Sequence, residues 1–370
     1  MNILIVKTSS MGDVIHTLPA VQALRQAHPQ AHIGWVVEKA HSEVLLRQPW
    51  LDQLIVWNRS GMRSFADMIR RLRATPWDLA IDFQGLLRSG LITRLSGARQ
   101  RLGFFPTRER AHWFYSQRVP LATMERHAVE RYLDLATHAG AAPQRPMARA
   151  YVDPSGVVDG APGLEASHAP STLFPLHPSV DDKLAVKGWL AQHDFDPRQH
   201  RLAILNPHCR KDANRWPAER FAELAYRLTS RAGLKVVLSG GPSTRELCDQ
   251  IEEHSGCELW RADGSFGLLG AAELFRRSAV VVTGDTGPMH IAAAVGTPIV
   301  AIFGPANPLR TGPYASDAIV LREKLECSPC YAGASCPLGH AVPKCLDLIK
   351  VDRVVAAVDR QLARVRRQSA

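Results

Sequence analysis

Short apolar runs rich in β-branched side chains recur along the chain, each followed by a polar loop and then by a stretch with apolar positions at helical spacing. Residues 3–6 form the first run, and from Val14 onward Val14, Leu18, Val21 and Leu24 repeat near the helical period, with Pro19 a blemish. The pattern predicts strand, loop and helix. Further strands are predicted at residues 33–37, 52–57 and 77–82, with a basic amphipathic helix around 65–73 and a second helix after the loop that follows Asp82. A new series opens at residues 202–206, whose loop runs into a helix with Pro217 and Glu219 in its first turn, and continues with strands at 235–238, 279–282 and 298–303. A short helix starting near Gly287 or Pro288 joins the last two. Such alternation predicts α/β domains built on parallel sheets. Between Gly140 and Pro197 the prolines crowd together, which reads as an inter-domain connection holding a strand or two. The expected division is therefore a first domain over 1–175, a linker over 176–200, a second domain over 201–348 and a terminal helix over 349–370.

Composition adds limits. At 370 residues with 46% hydrophobic content the chain has enough apolar material for two cores. Seven cysteines in this length do not make a disulfide scaffold, so a reducing cytosol is the expected compartment. The opening residues lack the basic leader of a signal peptide, and the uncharged stretch 286–309 is too broken by glycine and proline to span a membrane. Charge is unevenly shared: residues 1–150 carry 20 Lys and Arg against 11 Asp and Glu, the remainder 25 against 24. The basic half suits an anionic partner, either a phosphorylated substrate or an anionic membrane surface. Nucleic acid is disfavoured, since no zinc-finger, RNP-type or helix-turn-helix pattern accompanies the charge.

Candidate chemistry gathers in the loops after strands, where open α/β sheets bind ligands. The first such loop offers Thr8, Ser9, Ser10, Met11, Gly12 and Asp13, the last being either a functional carboxylate or the N-cap of its helix. Arg59, Arg63, Arg108 and Arg110 fall in or beside loops of the same half, as an anion clamp or as scattered surface charge. In the second half Arg210 and Lys211 precede a helix start, and Thr-Gly-Asp-Thr-Gly-Pro-Met-His at 283–290 places Asp285, Thr286, Gly287 and His290 around a turn. Its following helix would present free N–H groups to a phosphate. A plain helix cap is the alternative there. No G-x-G-x-x-G or P-loop motif occurs, which disfavours nicotinamide enzymes and P-loop NTPases. Cys327, Cys330, Cys336 and Cys345 form C-x₂-C-x₅-C-x₈-C, readable as a structural zinc or iron tetrad or as reduced thiols or a facultative disulfide.

Five motifs in order carry a family resemblance: Leu4-Ile-Val-Lys-Thr-Ser-Ser-Met-Gly-Asp13 with its continuation to Ala20, Ile81-Asp-Phe-Gln-Gly-Leu-Leu-Arg-Ser89, His127-Ala-Val-Glu-Arg131, Lys211-Asp-Ala-Asn-Arg-Trp-Pro217 and Asp285-Thr-Gly-Pro-Met-His290. The chain resembles glycosyltransferase family 9, the ADP-heptose:lipopolysaccharide heptosyltransferases. The resemblance implies a GT-B architecture, two Rossmann-like domains facing across a cleft, with the acceptor held by the first and the nucleotide sugar by the second, and a last helix over 349–370 that packs back toward the first. It implies Asp13 as catalytic base; Ser10, Met11, Gly12, Arg210, Lys211, Gly241, Glu246, Asp285, Thr286, Gly287 and His290 around the donor; and Arg59, Arg63, Gln84, Arg108 and Arg131 around the acceptor. Asn214 stands where the heptosyltransferase pattern nearest to this chain has its lysine. The implied reaction transfers heptose from ADP-heptose to a Kdo-lipid A acceptor with inversion and without a required cofactor, at the cytoplasmic face of the inner membrane. A relative with another acceptor, or a non-catalytic sugar-nucleotide binder, is the alternative.

Overall fold

The first strand, β1 (Asn2–Val6), has Ile3, Leu4, Ile5 and Val6 fully buried, as expected of a parallel strand covered on both faces. The computed structural model describes residues 1–143, 174–314 and 318–368, which divide into two compact units. The first holds residues 1–143 and 174–177, the second the described residues from Pro178 onward.

In the first unit β1 leads through α1 (Met11–Ala27) to β2 (His32–Glu38) and β3 (Gln53–Trp57), then α2 (Met62–Arg73), β4 (Leu79–Asp82), α3 (Leu87–Leu95), β5 (Gln100–Phe105), β6 (Gln117–Pro120) and α4 (Ala128–His138). The six strands are all parallel, in the order β3-β2-β1-β4-β5-β6. Pro19 does not end α1, although a proline inside a helix costs about 3 kcal/mol. The burial of Val14, Ile15, Leu18, Val21 and Leu24 outweighs that cost.

The second unit runs α5 (Val180–Gln192), β7 (Arg201–Asn206), α6 (Ala218–Thr229), β8 (Leu234–Leu238), α7 (Arg245–Ser255), β9 (Trp260–Arg261), α8 (Leu268–Arg276), β10 (Val280–Gly284), α9 (Gly287–Ala294), β11 (Ile299–Phe303), α10 (Pro308–Thr311), β12 (Ile319–Arg322), α11 (Lys344–Asp347) and α12 (Val351–Gln368). Its order, β12-β11-β10-β7-β8-β9, repeats that of the first sheet when read from β9. These are two Rossmann-like domains.

The stretch read as a connection departs from expectation in its described part. Residues 180–192 are helical because Ser179 and Asp182 form a capping box: the Ser179 amide and hydroxyl both donate to Asp182 Oδ2 at 2.7 Å, and the Asp182 amide donates back to Ser179 Oγ at 3.0 Å. Residues 144–173 lie outside the described residues. The terminal helix α12, expected to pack back toward the first domain, spends its apolar face on the second core, where Val354, Ala357 and Val358 are fully buried.

Both sheets reverse direction of growth at one point, between β1 and β4 and between β7 and β10. A crevice opens at the carboxyl ends of strands on either side of such a reversal. The loops bearing Asp13, Gln84, Lys211 and Asp285 leave the sheets at these two places.

Candidate active site

In the first unit Val6 of β1 lies opposite Asp82 of β4, so the loops that follow are neighbours. Gln84 ties them together: its side-chain oxygen accepts the amides of Thr8 and Ser9, both at 3.2 Å. Residues 8–10 then enter α1, whose N-cap is Ser10. Asp13 is the third helical residue rather than the cap. Its Oδ2 accepts Ser10 Oγ at 2.9 Å and the Ser10 amide at 3.3 Å, while Oδ1 accepts Tyr132 Oη at 3.2 Å and lies 3.8 Å from Lys7 Nζ. A third of the Asp13 side chain remains exposed (33%). Burial pushes this carboxyl up, but the Lys7 ammonium and the hydrogen bonds from Ser10 and Tyr132 outweigh it and hold the group below the usual carboxylate range. Asp13 is thus a charged, oriented and reachable carboxylate.

Beneath it Asp82 is fully buried and accepts four neutral donors: the amides of Gln84 at 2.8 Å and Gly85 at 3.0 Å, Ser89 Oγ at 2.8 Å and Tyr115 Oη at 2.7 Å. Burial raises its pKa, opposed by those four donors. Its work is to shape the loop that carries Gln84.

The expected acceptor residues are spread along the carboxyl edge of the same sheet. Arg59 follows β3, Arg63 is in the first turn of α2 and Arg108 follows β5; all three are exposed. β3 and β5 each lie two strands from β1, which is about 10 Å along a sheet, so these arginines flank Asp13 on opposite sides. Arg131 sits on α4 next to Tyr132, its guanidinium donating to Arg126 O at 3.2 Å and reaching Met124 Sδ at 3.4 Å.

In the second unit Asn206 of β7 lies opposite Thr283 of β10, and the loops beyond them meet. Asn214 Nδ2 donates to Asp285 Oδ2 at 3.1 Å. Gly284 is needed at the end of β10, because a Cβ there would lie 2.5 Å from Cys209 Sγ and 3.3 Å from Asn214 O. Thr286 caps α9 and Gly287 and Pro288 open it, so the first turn directs its N–H groups out of the sheet edge. Asp285, Thr286 and Gly287 are partly exposed and His290 is buried. Arg210 and Lys211 are exposed in the loop after β7. Gly241 and Glu246 follow β8, the neighbour of β7, and Thr244 Oγ1 closes that turn on Gly241 O at 2.7 Å. His208, in the Lys211 loop, has its pKa lowered by burial and by Arg215, with Asp212 opposing.

The clustered cysteines are free thiols. Cys345 is buried and pushed up to about 11 by burial and by Cys330, Cys327 and Cys336. Among the described residues no three His, Cys, Asp or Glu side chains are disposed to hold a metal ion, so the quartet as arranged does not fit a tetrad.

Residues 65–341 match the family model described as glycosyltransferase family 9 (heptosyltransferase). The chain belongs to this family. Among curated relatives, lipopolysaccharide heptosyltransferase 1 of Pseudomonas aeruginosa is 30% identical over 89% of this chain and 86% of its own length. The Escherichia coli K12 protein of that name is 27% identical over 88% and 95%. Among solved structures, a family 9 glycosyltransferase from Veillonella parvula superposes with a TM-score of 0.78 at 25% identity, covering 98% and 97% of the two chains. E. coli heptosyltransferase WaaC with ADP gives 0.71 at 24%, covering 98% and 100%. The protein is therefore a glycosyltransferase with the GT-B complement of two Rossmann-like domains.

Sequence reasoning singled out Asp13, Asp285 and Lys211 in this transferase but passed over Lys7 and Tyr132, which contact Asp13, and Asp82, which holds the Gln84 loop. The signal for Lys7 was present. This lysine directly follows the buried run 3–6 at the carboxyl end of β1, where the site loops leave the sheet.

Proposed function

We propose that this family 9 transferase moves L-glycero-D-manno-heptose from ADP-heptose to the Kdo-lipid A inner core in lipopolysaccharide biosynthesis. Asp13 takes the proton of the acceptor hydroxyl as that oxygen bonds to the anomeric carbon. The bond from that carbon to the diphosphate breaks with its electron pair leaving on ADP, and the configuration inverts. Lys211, Arg210 and the first turn of α9 neutralise the departing diphosphate, while Asp285, held by Asn214, receives donor hydroxyls. Ser10, Met11, Gly12, Gly241, Glu246, Thr286 and His290 complete the donor's surroundings. Arg59, Arg63, Gln84, Arg108 and Arg131 meet the anionic acceptor. No cofactor takes part in these steps. The basic first 150 residues suit a phosphorylated glycolipid at an anionic cytoplasmic membrane face, to which the protein would bind peripherally. No described helix is long and apolar enough to cross a membrane.

The observation that carries the reading is the Asp13 carboxylate, held ionised and open at the reversal point of the first sheet in a chain of this family. Asp13→Asn should bind ADP-heptose nearly as the parent does and lose turnover by about 10²–10⁴-fold, the usual worth of a general base. ADP release in a coupled assay and donor titration by calorimetry measure the two quantities. Turnover within a few-fold of the parent would remove the base assignment. Offering Kdo-lipid A beside heptosylated core and a protein acceptor tests the acceptor separately, and preference for either of the others would move the protein to a different branch of the family.

A further inference from the structure

Lys7, directly after β1, is 2% exposed. An ammonium group is buried only at a high cost unless it is paired, so its partners indicate its purpose. Its Nζ donates to Tyr132 Oη at 2.8 Å and to Phe83 O at 3.2 Å, and lies 3.8 Å from Asp13 Oδ1, to which Tyr132 Oη itself donates at 3.2 Å. The backbone at Lys7 is fixed from the other side, where Trp35 Nε1 donates to its carbonyl at 2.9 Å. The tyrosine ring is fixed edge-on to Phe83, with centroids 5.7 Å apart. A merely structural cation would be expected on the most deeply buried acid nearby. That acid is Asp82, and it is satisfied by four neutral donors instead. The charge has been directed to the partly open carboxylate.

We propose that Lys7, with Tyr132 beside it, is a positioning pair that keeps Asp13 ionised and aimed during sugar transfer. The inference rests on Asp13 being the base. In the step itself the acceptor proton passes to the Asp13 carboxylate, the new bond to the anomeric carbon forms, and the bond to diphosphate breaks onto ADP. Lys7 stays an ammonium and Tyr132 stays neutral throughout. Burial works against the charge on Lys7, but Asp13 and Tyr132 outweigh it. Other charged groups around the pair are Asp82 on β4, acting on Lys7, and Arg131 on α4, acting on Tyr132. His16 of α1 and His127 before α4 meet edge to face at 4.9 Å beside them.

The test is the pH profile of kcat/KM for the parent, Lys7→Met, Lys7→Arg and Tyr132→Phe. Removing the adjacent cation should move the acid limb toward neutral by roughly 1–3 pH units, the range an opposite charge nearby commands. The loss would be about tenfold or more near the parent's limb and small at high pH, with ADP affinity unchanged. Lys7→Arg should bring the limb back toward the parent, and Tyr132→Phe should move it the same way by less. An even loss at every pH, with the limb in place, overturns the proposal and leaves Lys7 a packing residue. Should Lys7→Met fail to fold, Tyr132→Phe removes one oxygen and decides alone, an unmoved limb again overturning the pair. Asp13→Asn separates the two readings. If that variant keeps its turnover, the base and the pair fail together; if it is inactive while the limb of Lys7→Met stays fixed, the pair alone fails.

Discussion

Two carboxylates at the end of the first sheet illustrate how neighbours divide labour. Asp82, with no exposure, has its oxygens shared among two amides and two hydroxyls, while Asp13 keeps a third of its side chain open and is paired with a cation. Asp82→Asn replaces an acceptor oxygen by an NH₂ group facing donors, and each buried donor left unmatched costs about 1–3 kcal/mol. We expect a loss of at least 2 kcal/mol or so in urea unfolding, together with lower turnover because the Gln84 loop loosens. A variant of parental stability would show that water, not Asp82, satisfies those donors. Asp13 has the opposite linkage. Its folded pKa lies below the unfolded value, so the stability it contributes is present above the ordinary carboxylate pKa and fades as pH falls through the lowered one. The capping relation of Ser10 and Asp13 was legible from the Ser-x-x-Asp spacing, although Asp13 itself reads as a cap until the helix start at Met11 is seen.

Elements meet where small residues let them. β10 can end against the loop after β7 only because Gly284 carries no side chain: a Cβ would enter Cys209 Sγ at 2.5 Å. Gly284→Ala should push Cys209 and with it the Asn214 support of Asp285, weakening ADP-heptose binding by about tenfold, the equivalent of one hydrogen bond to a charged group. Adding Cys209→Ala vacates the space and should recover most of that affinity. Calorimetric titration of the single and double variants decides this, and equal losses in both would place the effect elsewhere. The turn at 283–290 was legible because Gly287-Pro288 at a helix start is local chemistry. Its bond to Asn214 was not, because the partners are 71 residues apart and come together only through the β7–β10 pairing.

For the molecule as a whole, the last helix is a structural member of the second domain. Val351, Val354, Val355, Ala357, Val358 and Leu362 are buried in its core, and Gln361 Nε2 donates to Ile299 O at 2.9 Å. Arg231 and Asp359 pair at 2.8 Å, and Arg227 and Asp352 at 2.6 Å. Burying an aliphatic side chain is worth about 1.5–3 kcal/mol, so deleting α12 should remove on the order of 10 kcal/mol, comparable to a domain's entire net stability. A chain ending at Lys350 should therefore lose the second domain's cooperative unfolding transition and its donor binding. Recovery of a folded, ADP-binding truncation would show that α12 is dispensable.

Hydrophobic period and turn residues are local properties, and from them the alternation of strands and helices, the parallel character of the sheets and the loops bearing Asp13, Lys211 and Asp285 could be read directly. The proline-rich stretch misled because its density of Pro outweighed a capping box at Ser179, which is a local signal too, only a quieter one. What no local pattern contains is strand order. The adjacency of β1 to β4 and of β7 to β10, and the packing of α4 on α1, bring Tyr132 to Lys7 across 125 residues, Tyr115 to Asp82 across 33 and Asn214 to Asp285 across 71. Those contacts set the charge and orientation of Asp13, Asp82 and Asp285, and they exist because burial of the two cores, rather than any motif, chooses which loops become neighbours.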